Sequence, residues 1–235
     1  MYSIIILTLL ALSIGIYKNA IRTNPLRFTC SHYLVNVYLY ILFACVLIFG
    51  TVLFVKDNIY IYQYFLYIII LSFLLLFSIL TTSPTRLIWK HIQFILFVMT
   101  LGCMIYPKVK TNILYETMVM TICLFGILTG IAHKFPKMIS LSWRNPLLYS
   151  LIAIILVRII LIIKQIGLKE NVKSYSIILS YITIVVFIFF TLYDAKRLQI
   201  KAKTCTQADY IRDSLNPILN FTNILQNMLF LRSRK

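Results

Sequence analysis

The chain has 235 residues, of which 61% are hydrophobic and only 12% are charged, and its mean hydropathy is +0.91. Soluble domains are about half apolar and a quarter charged, so this composition excludes a soluble enzyme and indicates an integral membrane protein. The net charge of +17 comes from basic residues in short gaps between apolar runs, where they are typical of topology signals and headgroup contacts rather than of a nucleic-acid partner.

Eight apolar runs predict the helices of the protein. In chain order they cover about 3–17, 34–55, 59–80, 87–106, 112–131, 146–166, 175–193 and 213–231. A helix needs about 20 residues to cross the hydrocarbon core, and the six middle runs meet that length. No small-x-small cleavage site follows the first run, so we interpret it as a retained helix rather than a signal peptide. The last run is interrupted by Asn and Gln residues.

The basic residues in the loops predict how the chain is oriented in the membrane, and the spacing of the cysteines bears on disulfide formation. Most of the basic residues fall on the side of the 195–212 loop, which places that loop in the cytosol or in the mitochondrial matrix. The five cysteines include no CxxC pair and indicate neither a disulfide framework nor a metal cluster.

Two motifs near the C-terminus resemble those of a known family. Residues 192–197 read Leu-Tyr-Asp-Ala-Lys-Arg, and residues 218–225 read Ile-Leu-Asn-Phe-Thr-Asn-Ile-Leu. The first is similar to the Leu-Tyr-Asp-Thr-Gln-Arg signature of the Bax-inhibitor (transmembrane Bax-inhibitor motif) family, and the second to its closing Tyr-Leu-Asp-Phe-Ile-Asn-Leu-Phe helix. Weaker matches around Gly102 and Gly126 extend the likeness over roughly 32–231.

The resemblance implies an all-α, polytopic bundle of membrane helices. Its seven-helix core is expected within 32–235. Residues 1–31 are then an extra N-terminal transmembrane helix with its linker.

The resemblance also implies an ion site. Family members include calcium-leak proteins, in which two aspartates on the sixth and seventh core helices share a proton or a cation. These positions correspond to Asp194 and Asn220 here. A calcium ion collects about 6–8 oxygens, several from carboxylates, and an amide cannot share a proton as a second carboxylate does. We therefore expect an ion-site remnant, no resident metal, and weak calcium binding or none.

The remaining charged residues leave several alternatives open. Arg158 lies inside an apolar run and is expected to reach toward the Lys164 end, to pair with Asp194, or to contact an anionic lipid such as cardiolipin. Lys196 and Arg197 are further candidate partners for a lipid or for Asp194. A bound phospholipid is the sole candidate cofactor. The other acids are placed in gaps, near a helix start, or around the last loop: Asp57, Glu116, Glu170, Asp209 and Asp213.

Two functions follow, neither of them enzymatic. The first is an accessory subunit of a large respiratory complex in the mitochondrial inner membrane, with other membrane subunits and the lipid bilayer as partners. It is favoured by the missing carboxylate, by spans that are bulky rather than small-residue-lined, by the extra helix, and by an organelle-like composition. The alternative is a calcium or proton leak channel of an intracellular membrane such as the endoplasmic reticulum, favoured by the retained Asp194.

Overall fold

The protein is all-α, as the sequence predicts, because a helix satisfies its own backbone hydrogen bonds in lipid. The computed structural model describes residues 2–21, 30–55, 63–105, 111–167 and 172–233. The helices are α1 (Tyr2–Ile16), α2 (Tyr33–Val55), α3 (Phe65–Thr81), α4 (Leu87–Ile105), α5 (Thr111–Lys134), α6 (Arg144–Gly167), α7 (Lys173–Lys203) and α8 (Tyr210–Arg232). A π-helical turn, Tyr17–Ile21, follows α1, and two 3-10 turns, Pro136–Met138 and Leu141–Trp143, precede α6.

The helices differ in whether they are long and apolar enough to cross a bilayer. Within the described residues, α2, α4, α5, α6 and α7 are long and apolar enough to span it. The apolar helices Ser3–Asn19 and Phe65–Thr81 are shorter. The predicted start of the latter, at 59–62, lies outside the described residues. Helix α8 is long enough, but its Asn and Gln residues make it the least hydrophobic of the eight.

Helix α7 is longer than its apolar run. The run ends near 193, whereas the helix continues to Lys203. The added residues are mostly good helix formers, and Ala195 and Leu198 among them are buried. Asp194 therefore lies well inside a helix. The helix end near 193 that the apolar run predicts is wrong.

The helices form two compact units. The first comprises 1–109 and 198–218, and the second comprises 110–197 and 219–235. The expected division at 31/32 stays a prediction.

In the first unit, α2 packs against α1 and α4, and α3 packs against α4. Helix α2 buries Val37, Ala44 and Ile48, and α4 buries Phe94 and Leu101. Their spacings of four or seven residues, about one or two helical turns, place each set on one helical face.

In the second unit, α5 supplies a similar stripe. Leu114, Met118, Phe125 and Ala132 are buried on one face of this helix. The Phe125 ring meets the ring of Phe221 edge-on, with centroids 6.0 Å apart. Helix α6 buries few of its side chains, so most of its surface is left for lipid or for another protein.

A disulfide joins Cys30, before α2, to Cys205, between α7 and α8. The expectation that the cysteines form no disulfide is wrong for this pair, because folding brings together two residues that are 175 positions apart. Disulfides persist in oxidising compartments, whereas the basic residues assign the same loops to the cytosol or matrix. The two indicators thus favour different sides of the membrane.

Helix α4 approaches α2 closely at Gly102. A Cβ atom built there would lie 2.7 Å from the Thr51 Cβ and 3.1 Å from the Ile48 carbonyl oxygen. Neither atom is the end of a flexible side chain. The absence of a side chain at Gly102 is therefore what allows α4 to approach α2.

We expect Gly102→Ala to lower stability by about 1–3 kcal/mol, the usual cost of overpacking. Thermal unfolding of the purified protein in detergent measures it. Gly126→Ala is the matched control, because a Cβ at Gly126 in α5 meets nothing within 4 Å. That variant should be neutral, or stabilising by up to about 1 kcal/mol. Equal destabilisation by both changes would contradict the close-approach argument.

Candidate functional site

Asp194 and Asn220 meet in the second unit, where α7 and α8 carry them. The Asn220 side-chain amide donates a hydrogen bond of 2.8 Å to Asp194 Oδ2. Both residues are about 95% buried, with 4% and 5% of their surface exposed. The two positions singled out from the sequence are thus in direct contact.

The bases beside Asp194 have different partners. The Arg197 Nη1 atom lies 3.9 Å from Asp194 Oδ1, one helical turn further along α7. Lys196 instead donates a 2.7 Å hydrogen bond to the Pro136 carbonyl oxygen. The carboxylate therefore faces an amide at 2.8 Å and a guanidinium at 3.9 Å.

The family model described as "Inhibitor of apoptosis-promoting Bax1" matches residues 30–233. The match covers most of the chain. The chain belongs to the Bax-inhibitor family. No curated protein matches it individually. Of the described helices, the matched range contains α2 to α8 and leaves α1 outside.

In this Bax-inhibitor protein the contact between Asp194 and Asn220 contains a single carboxylate. Among the described residues, no three His, Cys, Asp or Glu side chains are grouped so that they could hold a metal ion. One N–H of the Asn220 side-chain amide donates a hydrogen bond to Asp194. The site therefore offers a cation less negative charge than a pair of aspartates in the same place.

Arg158 also lies in the second unit, where polar side chains of α7 and α8 accept its hydrogen bonds, and the expected contact with an anionic lipid stays a prediction. Its Nη2 donates to the Asn227 side-chain oxygen at 2.6 Å and to the Thr183 hydroxyl at 3.5 Å. The guanidinium is thus held across the helices by α8 and α7 instead of extending toward Lys164. No carboxylate of the described chain lies within 4 Å of it.

The first unit contains an ion pair that the sequence interpretation missed. Lys90 Nζ lies 2.6 Å from Asp209 Oδ2 and donates to the Thr82 carbonyl oxygen at 2.9 Å. Lys90 is fully buried. The second oxygen of Asp209 accepts the backbone N–H of Arg212 at 3.1 Å, so the same carboxylate caps the start of α8.

A second acid of the first unit is buried beside the pair. Asp213, in the first turn of α8, accepts a hydrogen bond of 2.5 Å from the Tyr33 hydroxyl. Lys201 Nζ lies 2.5 Å and 2.6 Å from its two oxygens. The sequence treats Asp209 and Asp213 as loop acids, but only 8% and 3% of their surfaces are exposed.

One sequence signal could have revealed this cluster. Lys90 lies within an apolar run, where a buried cation requires a partner, and Asp209 precedes the start of α8.

The remaining acids lie elsewhere. Glu116 forms an exposed ion pair with Arg232, at 2.5 Å. Asp57 and Glu170 lie outside the described residues.

We expect Lys90→Met to destabilise the protein by about 3–5 kcal/mol, because the buried Asp209 carboxylate loses its counter-ion. Thermal or denaturant unfolding in detergent measures the loss. Adding Asp209→Asn to Lys90→Met should recover much of the stability, since asparagine also caps a helix and no buried charge is then left unpaired.

The control is Glu116→Gln, which breaks the exposed pair with Arg232. Because 57% of the Glu116 side chain and 34% of the Arg232 side chain are exposed, the expected change is about 0–1 kcal/mol. A Lys90→Met effect no larger than this control would refute the importance of the buried pair.

Proposed function

We propose that this Bax-inhibitor protein is a non-catalytic, non-transporting accessory subunit of a large respiratory complex in the mitochondrial inner membrane. In this proposal the family's ion site is degenerate. The fold serves to fill and stabilise a membrane assembly.

The observation that carries the proposal is the contact between Asp194 and Asn220. A calcium site needs about 6–8 oxygens, with carboxylates among them, and a shared-proton switch needs two acids. Here one carboxylate is bonded to an amide at 2.8 Å and has a guanidinium at 3.9 Å. Its charge is already partly balanced within the protein.

The other acids support the same conclusion. Each of the four carboxylates in the described chain lies within 4 Å of a basic nitrogen: Glu116, Asp194, Asp209 and Asp213. None of them is left as a second negative charge beside Asp194. A divalent cation would have to displace a base from any of them.

The role as a subunit rests on the surface and on α1. Large apolar side chains are exposed along α1, α3 and α6, which suits contact with lipid or with neighbouring subunits. Helix α1 precedes the family match and packs against α2. The organelle-like composition favours the mitochondrial inner membrane as the location.

The alternative is a calcium or proton leak channel of an intracellular membrane. It is favoured by the direct contact of Asp194 and Asn220, since the fold still brings the two family positions together. The two functions differ in what they require of position 220.

Calcium flux into proteoliposomes separates the two functions. We expect the unmodified chain to give no acid-closed flux, and Asn220→Asp to create one by supplying the second carboxylate. Asn220→Asp combined with Asp194→Asn is the matched control, because it again leaves one acid and should abolish the flux. Robust acid-closed flux through the unmodified chain would overturn the proposal.

The host assembly is tested separately by blue-native electrophoresis of mitochondrial membranes, followed by mass spectrometry. We expect the chain to migrate with respiratory subunits, at a size far above its own 27.5 kDa. Migration alone or as a small homo-oligomer would refute the role as a subunit, and would leave the flux result as the guide to function.

A further inference from the structure

The second unit contains a cavity of about 290 Å³ between α6, α7 and α8. The polar side chains that line it are Arg158, Gln165, Ser176, Ser180, Gln226 and Asn227, and the rest of its wall is apolar. The volume is just below the usual range for ligand pockets, about 300–1,000 Å³. It suits a compact polar group rather than a whole amphiphile.

The cavity contains a cation well inside the helices. Arg158 precedes the end of α6 by nine residues, which corresponds to about 14 Å along the helix axis. It is the single charged residue among those that line the cavity. A guanidinium at such depth in a membrane protein is costly without an anion close to it.

The Arg158 guanidinium has N–H donors beyond those that it uses in hydrogen bonds to described residues. Both of its hydrogen bonds within the described chain use Nη2. The N–H groups of Nη1 and Nε are left for a ligand, and the side chain remains exposed. A planar guanidinium binds phosphate and carboxylate groups through such paired donors.

The surroundings favour a lipid as the source of the anion. The polar residues follow a path from Gln165, next to the end of α6, and Ser176, next to the start of α7, to Arg158. Outside this path, Ile159 and Ile163 of α6 are exposed. A phosphate at Arg158 would thus have an apolar helix face beside it on which acyl chains could lie.

We propose that this cavity holds the phosphate of an anionic phospholipid, with Arg158 as its main contact. The site is separate from Asp194 and Asn220. The inference therefore does not depend on whether the protein conducts ions.

Native mass spectrometry of the purified full chain tests the site. The protein in detergent is offered equal amounts of phosphatidylglycerol and phosphatidylcholine. We expect one phosphatidylglycerol to be retained preferentially, and Arg158→Gln to reduce that preference by about tenfold, the loss expected for a charge-assisted contact. Lys164→Gln is the matched control: it removes a positive charge near the same end of α6, but from a residue that does not line the cavity.

A second variant guards against misfolding of Arg158→Gln. Ser176→Leu fills the cavity and keeps the cation, and it should also reduce retention while the protein stays monodisperse. Three outcomes would overturn the proposal. They are equal retention of the two lipids, an equal loss in Lys164→Gln, and displacement of the lipid by millimolar inorganic phosphate, which would indicate a small-anion site. A fourth outcome, unchanged lipid retention in Arg158→Gln, would also overturn the proposal and would favour a neighbouring protein as the partner of this cation.

Discussion

The cost of holding a charge away from water determines how the polar side chains of this protein are arranged. In the first unit, Lys90 is fully buried and is compensated by Asp209 at 2.6 Å and by the Thr82 carbonyl oxygen. In the second unit, Asp194 is compensated by an amide and a guanidinium. Burying one partner of such a pair without the other is strongly unfavourable. The helices are therefore fixed in register wherever these residues meet.

The same rule shows why one amide changes the chemistry of the site. Two buried carboxylates in contact repel each other unless a proton or a cation lies between them, and an ion switch depends on that repulsion. Asn220 replaces it with a hydrogen bond to Asp194, which needs neither. The two positions that the resemblance singles out are in contact, and the hydrogen bond between them contains a single carboxylate.

Most of the helices could be predicted from hydropathy, and the contact between Asp194 and Asn220 from the family motifs. Hydropathy failed where it reports lipid contact rather than backbone conformation. Helix α7 continues for ten residues after its apolar run, and five of these ten are charged. Hydropathy also failed for contacts between distant segments. The burial of Asp209 and Asp213 depends on Lys90, Tyr33 and Lys201, and pairings of this kind follow from the packing of helices, which composition does not encode.

The bond between Cys30 and Cys205 limits how the chain can be threaded through a bilayer. Two sulfur atoms can join only on the same face of the membrane, so the number of crossings between them must be even. Among the described residues, five of the intervening helices, α2, α4, α5, α6 and α7, are long and apolar enough to cross, which is an odd number. An even number therefore requires α3 to cross as the sixth. Its 17 residues are at the lower limit for a span, so this short helix settles the parity of the topology.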